Sequence, residues 1–171
     1  MEIKIRKFIK EDIPLKVEWI NNSENNQFLH YDLPLDIDKT FSWFENIQNR
    51  EDRLDLTITC NGIPVGIIGL LNVDRTNKKA EYYITIGKTS FKGMGVAKKA
   101  TELLLEQAYE IYGLNKVYLF TEVENVSAQK LFERVGFKKE GLLKEDIIHN
   151  QRKLDRYIYG ILAAEISREV K

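Results

Sequence analysis

The most constraining feature of this chain is a β-branched strand that passes through a short loop and a glycine pair into a long helical pattern. The strand covers residues 80–86, the glycines are Gly93 and Gly95, and the helical pattern runs over residues 95–112. Glycine has no Cβ, so the backbone can adopt positive φ at such a turn and approach a ligand closely. The first amides of a helix lack intrahelical partners and lie at the positive end of its dipole. The turn is therefore predicted to bind an anion such as a pyrophosphate. Its contributors are the amides of Met94, Gly95, Val96 and Ala97 and the charge of Lys92.

Two familiar glycine loops do not fit this segment. A P-loop requires a Lys-Ser/Thr pair directly after its last glycine, whereas Val96 and Ala97 follow here. A dinucleotide-binding fingerprint requires a third glycine at position 98, which is Lys98. Taken alone, the glycine pair also fits an ordinary strand-to-helix turn.

Composition narrows the class of protein. A chain of 171 residues fits a single domain over residues 1–171. The 26 basic residues balance the 26 acidic ones, so no overall field attracts nucleic acid or an anionic membrane. The N-terminus lacks the apolar core of a signal peptide, and no run approaches the roughly 20 apolar residues of a membrane span. We expect a cytoplasmic protein with no nucleic-acid or membrane partner. The scarcity of His and Cys also argues against a metal site.

The apolar periodicity predicts the element order βααβββαβαββ. Strands are predicted over residues 3–8, 54–60, 64–73, 80–86, 116–121, 137–146 and 152–161. Helices are predicted over residues 11–20, 38–47, 95–112 and 125–135. Asn61-Gly62 is a strong hairpin signal, and Gly113 and Gly136 each end a helix. This order favours an α/β fold of the α+β sandwich type, with one mixed, mostly antiparallel sheet of about seven strands between helices.

A second dense motif runs from Glu122 to Phe137 and contains Asn125, Ala128 and Gly136. Asn125 lies where a strand leads into a helix, and its side-chain amide offers two donors and one acceptor to a ligand at the sheet end. The same position also suits an asparagine that caps its own helix. Both interpretations stay open at this point.

The two motifs together resemble the GCN5-related N-acetyltransferases. The resemblance rests on a Gly-x-Gly helix start, one strand, and then Asn-x-x-Ala followed by Gly-Phe, and it covers residues 3–161. It is greatest to the branch of ribosomal-protein N-terminal, spermidine and amino-sugar-nucleotide acetyltransferases, which the segment from Gly136 to Tyr157 also resembles. The resemblance implies a bulged fourth strand that splays from the fifth, and acetyl-CoA as the co-substrate with no metal.

Cofactor contacts are implied by the same resemblance. The pyrophosphate would lie on residues 92–97, and the pantetheine arm would pair like an extra strand with the free backbone of Ile84 and Ile86. One backbone N–H there would polarise the thioester carbonyl. Asn125 would bond pantetheine, and Arg134 would reach the adenosine phosphate.

The chain departs from the family pattern at two cofactor-side positions. Lys92 replaces the usual Arg or Gln, so a point charge without a planar fork meets the phosphate. Phe132, which would still line the cofactor, aligns with the tyrosine that often protonates the leaving thiolate. Phenylalanine cannot donate that proton. This departure keeps open a different class of function, a non-catalytic domain that senses acyl-CoA.

The expected reaction is direct attack of a neutral primary amine on the thioester in a ternary complex. Glu81, on the splayed strand, is the leading base, with a partnered surface carboxylate as the alternative interpretation. Glu122, near the end of the next strand, is the second candidate. Tyr83 shares the face of Glu81 and could replace the missing hydroxyl, although core packing is the favoured interpretation.

Substrate contacts are expected from the early helices and the loop that joins them. The segments Trp19-Ile-Asn21 and Trp43-Phe-Glu45 are similar to amino-sugar-nucleotide acetyltransferases, although Ile20 replaces their usual arginine. The predicted contacts are Trp19, Asn21, His30, Tyr31 and Trp43, with core packing as the alternative for the tryptophans. The acceptor could be a small amine, an amino-sugar nucleotide, a polyamine or a protein N-terminus. A homodimer is expected from the prevalence of twofold assemblies.

Overall fold

The computed structural model describes residues 1–166, so the single-domain expectation extends beyond it to residues 167–171, which lie outside the described residues. The strands of this part are β1 Ile3–Lys7, β2 Leu54–Cys60, β3 Ile63–Asp74, β4 Lys79–Ile86, β5 Lys116–Glu122, β6 Lys138–His149 and β7 Arg152–Leu162. The helices are α1 Ile13–Asn21, α2 Ile37–Ile47, α3 Val96–Glu110, α4 Val126–Val135 and the single turn α5 Ala163–Ile166. Short 3-10 turns precede α1 and α3.

Within residues 1–166 the strands form one seven-stranded sheet in the order β1-β2-β3-β4-β5-β7-β6. Each neighbouring pair is antiparallel except β4 and β5, which are parallel. The predicted mixed and mostly antiparallel sheet is therefore confirmed, together with the order of its strands along the chain.

The turns follow local chemistry. Asn61 and Gly62 both have positive φ, 50° and 80°, as a two-residue hairpin turn of type I′ requires. The β6–β7 hairpin closes in the same way through Asn150 and Gln151. Helix α2 begins one residue earlier than predicted, because the carboxylate of Asp36 accepts a hydrogen bond from the Lys39 amide and caps the helix.

The parallel pair β4–β5 is short. Its register joins Lys79 to Lys116, Ala80 to Val117 and Glu81 to Tyr118, and beyond Glu81 the two strands separate. The predicted splay is thus confirmed. The predicted bulge of the fourth strand needs correction, because the extra residue lies on β3, where Asn72 adopts a φ of 51° opposite β4. Asparagine tolerates this left-handed conformation better than the β-branched residues of β4 would.

The two faces of the sheet carry separate cores. Helices α3 and α4 pack on one face, where Ala100, Leu104 and Phe132 join the strand residues in one buried cluster. Helices α1 and α2 cover the other face around Ile13, Trp19 and other buried apolar residues. Side chains alternate along β4, so Tyr82, Ile84 and Ile86 belong to the α3 face and Tyr83 to the α1–α2 face. Glu81 therefore shares the α1–α2 face.

Candidate active site

A cleft of about 750 Å³ follows the gap between β4 and β5. It runs from the start of α3 to residues of α1 and its following loop, so it connects the two faces of the sheet. Its walls include the predicted acids Glu81 and Glu122, the glycine turn, and Asn125. Residues predicted to bind the cofactor and residues predicted to act on the acceptor therefore line one continuous cleft.

The start of α3 presents unpaired amides to this cleft. Gly93 and Gly95 have φ values of 77° and 81°, and Gly95 forms the N-cap of the helix. The first bond of the helix runs from the Lys99 amide to the Gly95 carbonyl, 3.1 Å. Among residues 1–166, no acceptor bonds the amides of residues 95–98. A Cβ at either glycine would meet nothing within 4 Å, so backbone torsion rather than space favours glycine there.

Two further residues complete the glycine turn. The Lys92 ammonium donates to the Glu24 carbonyl, 3.1 Å, and lines the cleft beside the turn. Met94 lies between the two glycines and is exposed. The turn therefore combines one cation with a row of amide donors, which is the arrangement an anion requires.

The free edge of β4 borders the same space. The Gly87 amide donates to the Val65 carbonyl, 2.8 Å, which fixes the alternation of β4 backbone groups against β3. The peptide groups of the odd-numbered residues then face β3, and those of Ile84 and Ile86 face the gap. No strand pairs with this edge in the described part of the chain.

Helix α4 forms the opposite wall. The Asn125 side-chain oxygen accepts from the Ala128 amide, 3.2 Å, so the helix-capping interpretation is confirmed. Its Nδ2 has no partner within residues 1–166 and remains available to a ligand. Phe132 is 6 % exposed and packs edge-on against Tyr82, with ring centroids 5.8 Å apart. Arg134 is exposed at the rim of the cleft.

Beside Phe132 the structure places a hydroxyl that sequence reasoning missed. Tyr82 lies 2.7 Å from the Thr101 hydroxyl, which in turn donates to the Ala97 carbonyl, 2.6 Å. Because Thr101 uses its proton on Ala97, Tyr82 donates to Thr101. Burial raises the pKa of Tyr82, which keeps the phenol protonated. The alternation of β4 toward the α3 face was the available signal for this position.

Glu81 lies where β4 and β5 begin to separate. It is half-buried, lines the cleft, and accepts no hydrogen bond from the residues described. Burial raises the pKa of its carboxyl group, and the nearby charge of Arg156 opposes that shift. Arg156 also bonds Asp146, with its Nε 2.8 Å and its Nη2 2.6 Å from the carboxylate. A carboxylate with a raised pKa is a stronger base than an exposed one.

The structure brings together two residues that were predicted separately. His30 Nε2 lies 3.1 Å from the Glu122 carboxylate, and their side chains are 29 % and 10 % exposed. The ring of His149, from the β6–β7 hairpin, packs 5.2 Å from that of His30. The pair stands at the far end of β5 from Tyr118, at the open mouth of the gap.

A cluster of charges lies on the Glu81 face of β4. The Tyr83 hydroxyl donates to Asp55, 2.6 Å, and Arg53 donates to the same carboxylate through two nitrogens at 2.7 and 2.8 Å. Burial and the Asp55 charge raise the pKa of Tyr83 well above its ordinary value. Tyr31 and Lys16 line the cleft beside this cluster. Arg53 and Lys16 are therefore acceptor-side residues that sequence reasoning missed.

Three of the predicted substrate residues lie away from the cleft wall. Trp19 is 3 % exposed and packs so closely on Gly87 that a Cβ there would collide with its ring. Asn21 closes the following loop by bonding both the amide and the carbonyl of Leu35, 2.7 and 3.1 Å. Trp43 packs on Lys16, which stands between it and the cleft. His30 and Tyr31 do line the cleft.

Asn25 joins these regions and was also missed. Its Nδ2 donates to the carbonyls of Trp19 and Gly87, 3.0 and 2.9 Å, and so ties the end of α1 to the end of β4. Its Oδ1 is buried and has no partner among residues 1–166. The linkage holds the loop after α1 against the cleft.

Two structural features bear on other classes of site. No cluster of three or more His, Cys, Asp or Glu side chains suitable for a metal ion occurs among residues 1–166. Over the same residues, none of the helices has the length and apolar character needed to cross a bilayer.

Known proteins share both the sequence pattern and the fold. Residues 2–138 match the acetyltransferase (GNAT) domain. Spermidine N(1)-acetyltransferase of Escherichia coli K12 is 23% identical over 150 residues, which are 86% of this chain and 79% of that protein. The putative ribosomal N-acetyltransferase YdaF of Bacillus subtilis strain 168 is 33% identical over 105 residues, 61% of this chain and 57% of that protein.

A solved structure agrees closely in fold. Spermidine N-acetyltransferase from Vibrio cholerae, in complex with CoA and spermine, superposes with a TM-score of 0.89 at 23% identity and covers 96% of this chain and 98% of that one. At this identity the likeness supports the fold alone, while the domain match covers most of the chain. The chain therefore belongs to the GNAT acetyltransferase family and is an N-acyltransferase.

Proposed function

We propose that this chain transfers the acetyl group of acetyl-CoA to a primary amine by direct attack in a ternary complex. One observation carries the proposal. The gap between β4 and β5 opens beside the unpaired amides that begin α3, so a single cleft offers an anion site followed by a free strand edge. Coenzyme A has matching parts, a diphosphate followed by an amide-containing arm.

The position of the anion site sets the direction of the cofactor. With the diphosphate on the amides of residues 95–98, the arm would enter the gap at its mouth and bond the free backbone of Ile84 and Ile86. The thioester would then lie deeper, toward the junction of β4 and β5 beside Glu81. Asn125 Nδ2 would bond the arm from α4, and Arg134 would meet the adenosine phosphate at the rim.

The chemistry needs a base, because an alkylammonium has no lone pair. Glu81 would take the proton from the amine, directly or through water, since burial raises its pKa and it lines the cleft at the junction. The nitrogen–carbon bond forms, the carbon–sulfur bond breaks, and a β4 amide stabilises the oxyanion. Glu122, paired with His30, is the second candidate base.

Thiolate departure does not require a tyrosine at position 132. A CoA thiol resembles cysteine, whose pKa is about 8.5, so its thiolate is a tolerable leaving group. Tyr83 would have to leave Asp55 before it could protonate that thiolate. We therefore assign the principal contribution to the positioning of both reactants, an effect larger than that of general acid catalysis.

The acceptor amine would bind on the side of the cleft that faces α1 and α2. Proteins similar to this chain include a spermidine N(1)-acetyltransferase and a putative ribosomal N-acetyltransferase. For this chain we propose a small primary amine or an amino-sugar nucleotide, which would enter from the α1–α2 face past His30 and Tyr31.

Release of free CoA thiol from acetyl-CoA with a panel of primary amines tests the proposed function. We expect thiol release that depends on both substrates, with calorimetric binding of CoA to the protein alone. Absence of binding heat would overturn the cofactor assignment. CoA binding without thiol release over the whole panel would instead favour an acyl-CoA sensor, the alternative that Phe132 supports by leaving its position without a proton donor.

A further inference from the structure

Lys16 is a buried lysine to which residues 1–166 supply no ionic partner. The residue is 7 % exposed and stands on the buried side of α1. Its ammonium lies 3.5 Å from the ring centroid of Trp43, and 5.9 and 6.0 Å from those of Tyr31 and Phe8. No hydrogen bond or ion pair to any residue within 1–166 reaches it. A buried ammonium normally has such a partner, because burial without one is costly.

The missing partner belongs on the cleft side. Lys16 lines the cleft together with Tyr31, Arg53 and Tyr83. Among residues 1–166, the fully buried side-chain nitrogen or oxygen atom that lacks a partner is Asn25 Oδ1. The Lys16 ammonium also lacks a hydrogen-bond partner there, so it is not fully buried and keeps some access to solvent. The Trp43 ring covers the other side of the Lys16 ammonium. A ligand in the cleft is thus the available source of a counter-charge.

Neighbouring charges do not neutralise Lys16. Asp55 is the carboxylate whose charge acts on Lys16, yet it already accepts two hydrogen bonds from Arg53 and one from Tyr83. The cluster of Lys16, Arg53 and Asp55 therefore holds two cations against one anion. Burial, in part offset by Asp55, lowers the pKa of Lys16 to about 8, so the amine is mostly protonated at neutral pH.

This cluster faces the acceptor side of the reaction centre. Tyr83 is two residues from Glu81 on β4, and strand alternation places both side chains on the α1–α2 face. The cofactor-side cations Lys92 and Arg134 lie at the start of α3 and on α4 instead. Lys16 is therefore separate from the site proposed for the diphosphate.

We propose that Lys16 binds an anionic group of the acceptor, so that the substrate is a primary amine that also bears a carboxylate or a phosphate. This inference rests on the proposed function, because it describes the acceptor of that reaction. An ion pair in such a water-poor site is stronger than one on the surface. The same unpaired cation would repel a polyamine, whose remaining ammonium groups would enter beside it.

Matched amines test the inference on the CoA-bound protein by calorimetry and by thiol release. The pairs are 4-aminobutyrate with its amide, and phosphoethanolamine with ethanolamine, and spermidine is the polycationic comparison. We expect the anionic member of at least one pair to bind about tenfold or more tightly than its neutral partner, and spermidine to bind least. The two pairs distinguish a carboxylate from a phosphate.

Lys16→Met removes the charge and keeps the length of the side chain. We expect it to abolish the preference within each pair. Lys10→Met is the control, because Lys10 also lies near an aromatic ring, 5.7 Å from that of Phe41, but is exposed and outside the cleft wall. Lys16→Arg, which keeps the charge, should retain the preference.

The outcomes separate the inference from the proposed function. Equal binding of both members of each pair, or a preference unchanged in Lys16→Met, overturns the role of Lys16 even where thiol release proceeds. A preference in binding that Lys16→Met removes supports it, even where no thiol is released and the transfer proposal fails. The wild-type comparison decides the matter on its own if the variants do not fold.

Discussion

The two halves of the cleft are formed by different parts of the chain, one by backbone groups and the other by side chains. The cofactor half relies on backbone groups, namely the unpaired amides at the start of α3 and the free edge of β4. The acceptor half relies on side chains from several elements, among them Lys16, Tyr31, Asp55 and Glu81. Backbone geometry persists through many sequence changes, whereas a side-chain cluster alters with each substitution. The fold can therefore keep one cofactor while its acceptor changes.

The largest expected effect tests whether acid–base chemistry belongs to the acceptor half. Replacement of Glu81 by Gln should lower turnover about 100-fold, since general bases typically contribute 10²–10⁴-fold, and should flatten the acid limb of the pH profile. The measurement is initial-rate kinetics over a range of pH with saturating acetyl-CoA.

Glu106→Gln serves as its control, because Glu106 is exposed on α3. If Glu81→Gln retains wild-type kinetics and Glu122→Gln does not, the base is Glu122 with its His30 partner, and the reaction centre lies nearer the mouth of the gap.

A second prediction probes the backbone character of the cofactor half. Gly95→Ala should weaken CoA binding about tenfold, because a left-handed conformation costs an L-residue roughly 1–2 kcal/mol and relaxation would turn the amides away. Gly62→Ala is a matched control, with φ of 80° and equally open space at a distant hairpin. Both variants should lose similar thermal stability, and only Gly95→Ala should lose affinity in calorimetry. Equal CoA affinity in the two variants would contradict a backbone-built site.

A third prediction separates the two uses of Asn125. Asn125→Ser should keep the helix cap but lose the free Nδ2 donor, so CoA affinity falls severalfold at unchanged melting temperature. Asn125→Ala should show the same loss of affinity and also a lower melting temperature, because a lost cap costs about 1 kcal/mol. Unchanged CoA affinity in Asn125→Ser would limit Asn125 to capping.

The smallest effect concerns the stability of the acceptor half. Because burial lowers the pKa of Lys16 to about 8, its folded form carries an unfavourable charge below that pH. The unfolded chain binds the extra proton between about pH 8 and the ordinary lysine pKa, so wild-type stability should rise with pH across that window. Lys16→Met should raise the melting temperature roughly 2–4 °C at pH 7, which corresponds to about 1 kcal/mol in a domain of this size.

The gap in melting temperature between Lys16→Met and wild type should narrow as pH rises toward the ordinary lysine pKa of 10.5. Lys10→Met should show no such pH-dependent gap. A melting temperature of Lys16→Met below wild type at pH 7 would mean that the contact with Trp43 outweighs the cost of burying the charge.

The contrast between the halves also explains what the sequence could reveal. The strand, glycine turn and helix lie within residues 80–112, so local propensity alone predicts them. Asn125 was recognisable as a cap for the same reason. The acceptor-side cluster consists of Lys16 on α1, Arg53 just before β2, Asp55 on β2 and Tyr83 on β4. No local sequence pattern indicates that these four elements come into contact.

One signal for the acceptor half was nonetheless present. Ile13, Lys16 and Ile20 share the buried stripe of α1, and a lysine on such a stripe is rare enough to mark a site. Trp19 and Asn21 resembled substrate residues by spacing, but the contact of Trp19 with Gly87 and the bonds of Asn21 to Leu35 assign both to structure. The expected homodimer stays a prediction.

The contact between Trp19 and Gly87 has a spectroscopic consequence. The chain contains two tryptophans, one packed on the backbone where β4 ends and the other 3.5 Å from the Lys16 ammonium. Their intrinsic fluorescence therefore samples each half of the cleft without an attached dye. Binding of the cofactor between β4 and β5 should change the emission of Trp19. Deprotonation of Lys16, or its pairing with an anionic acceptor, should change the emission of Trp43. The order in which cofactor and acceptor bind can therefore be followed by fluorescence alone.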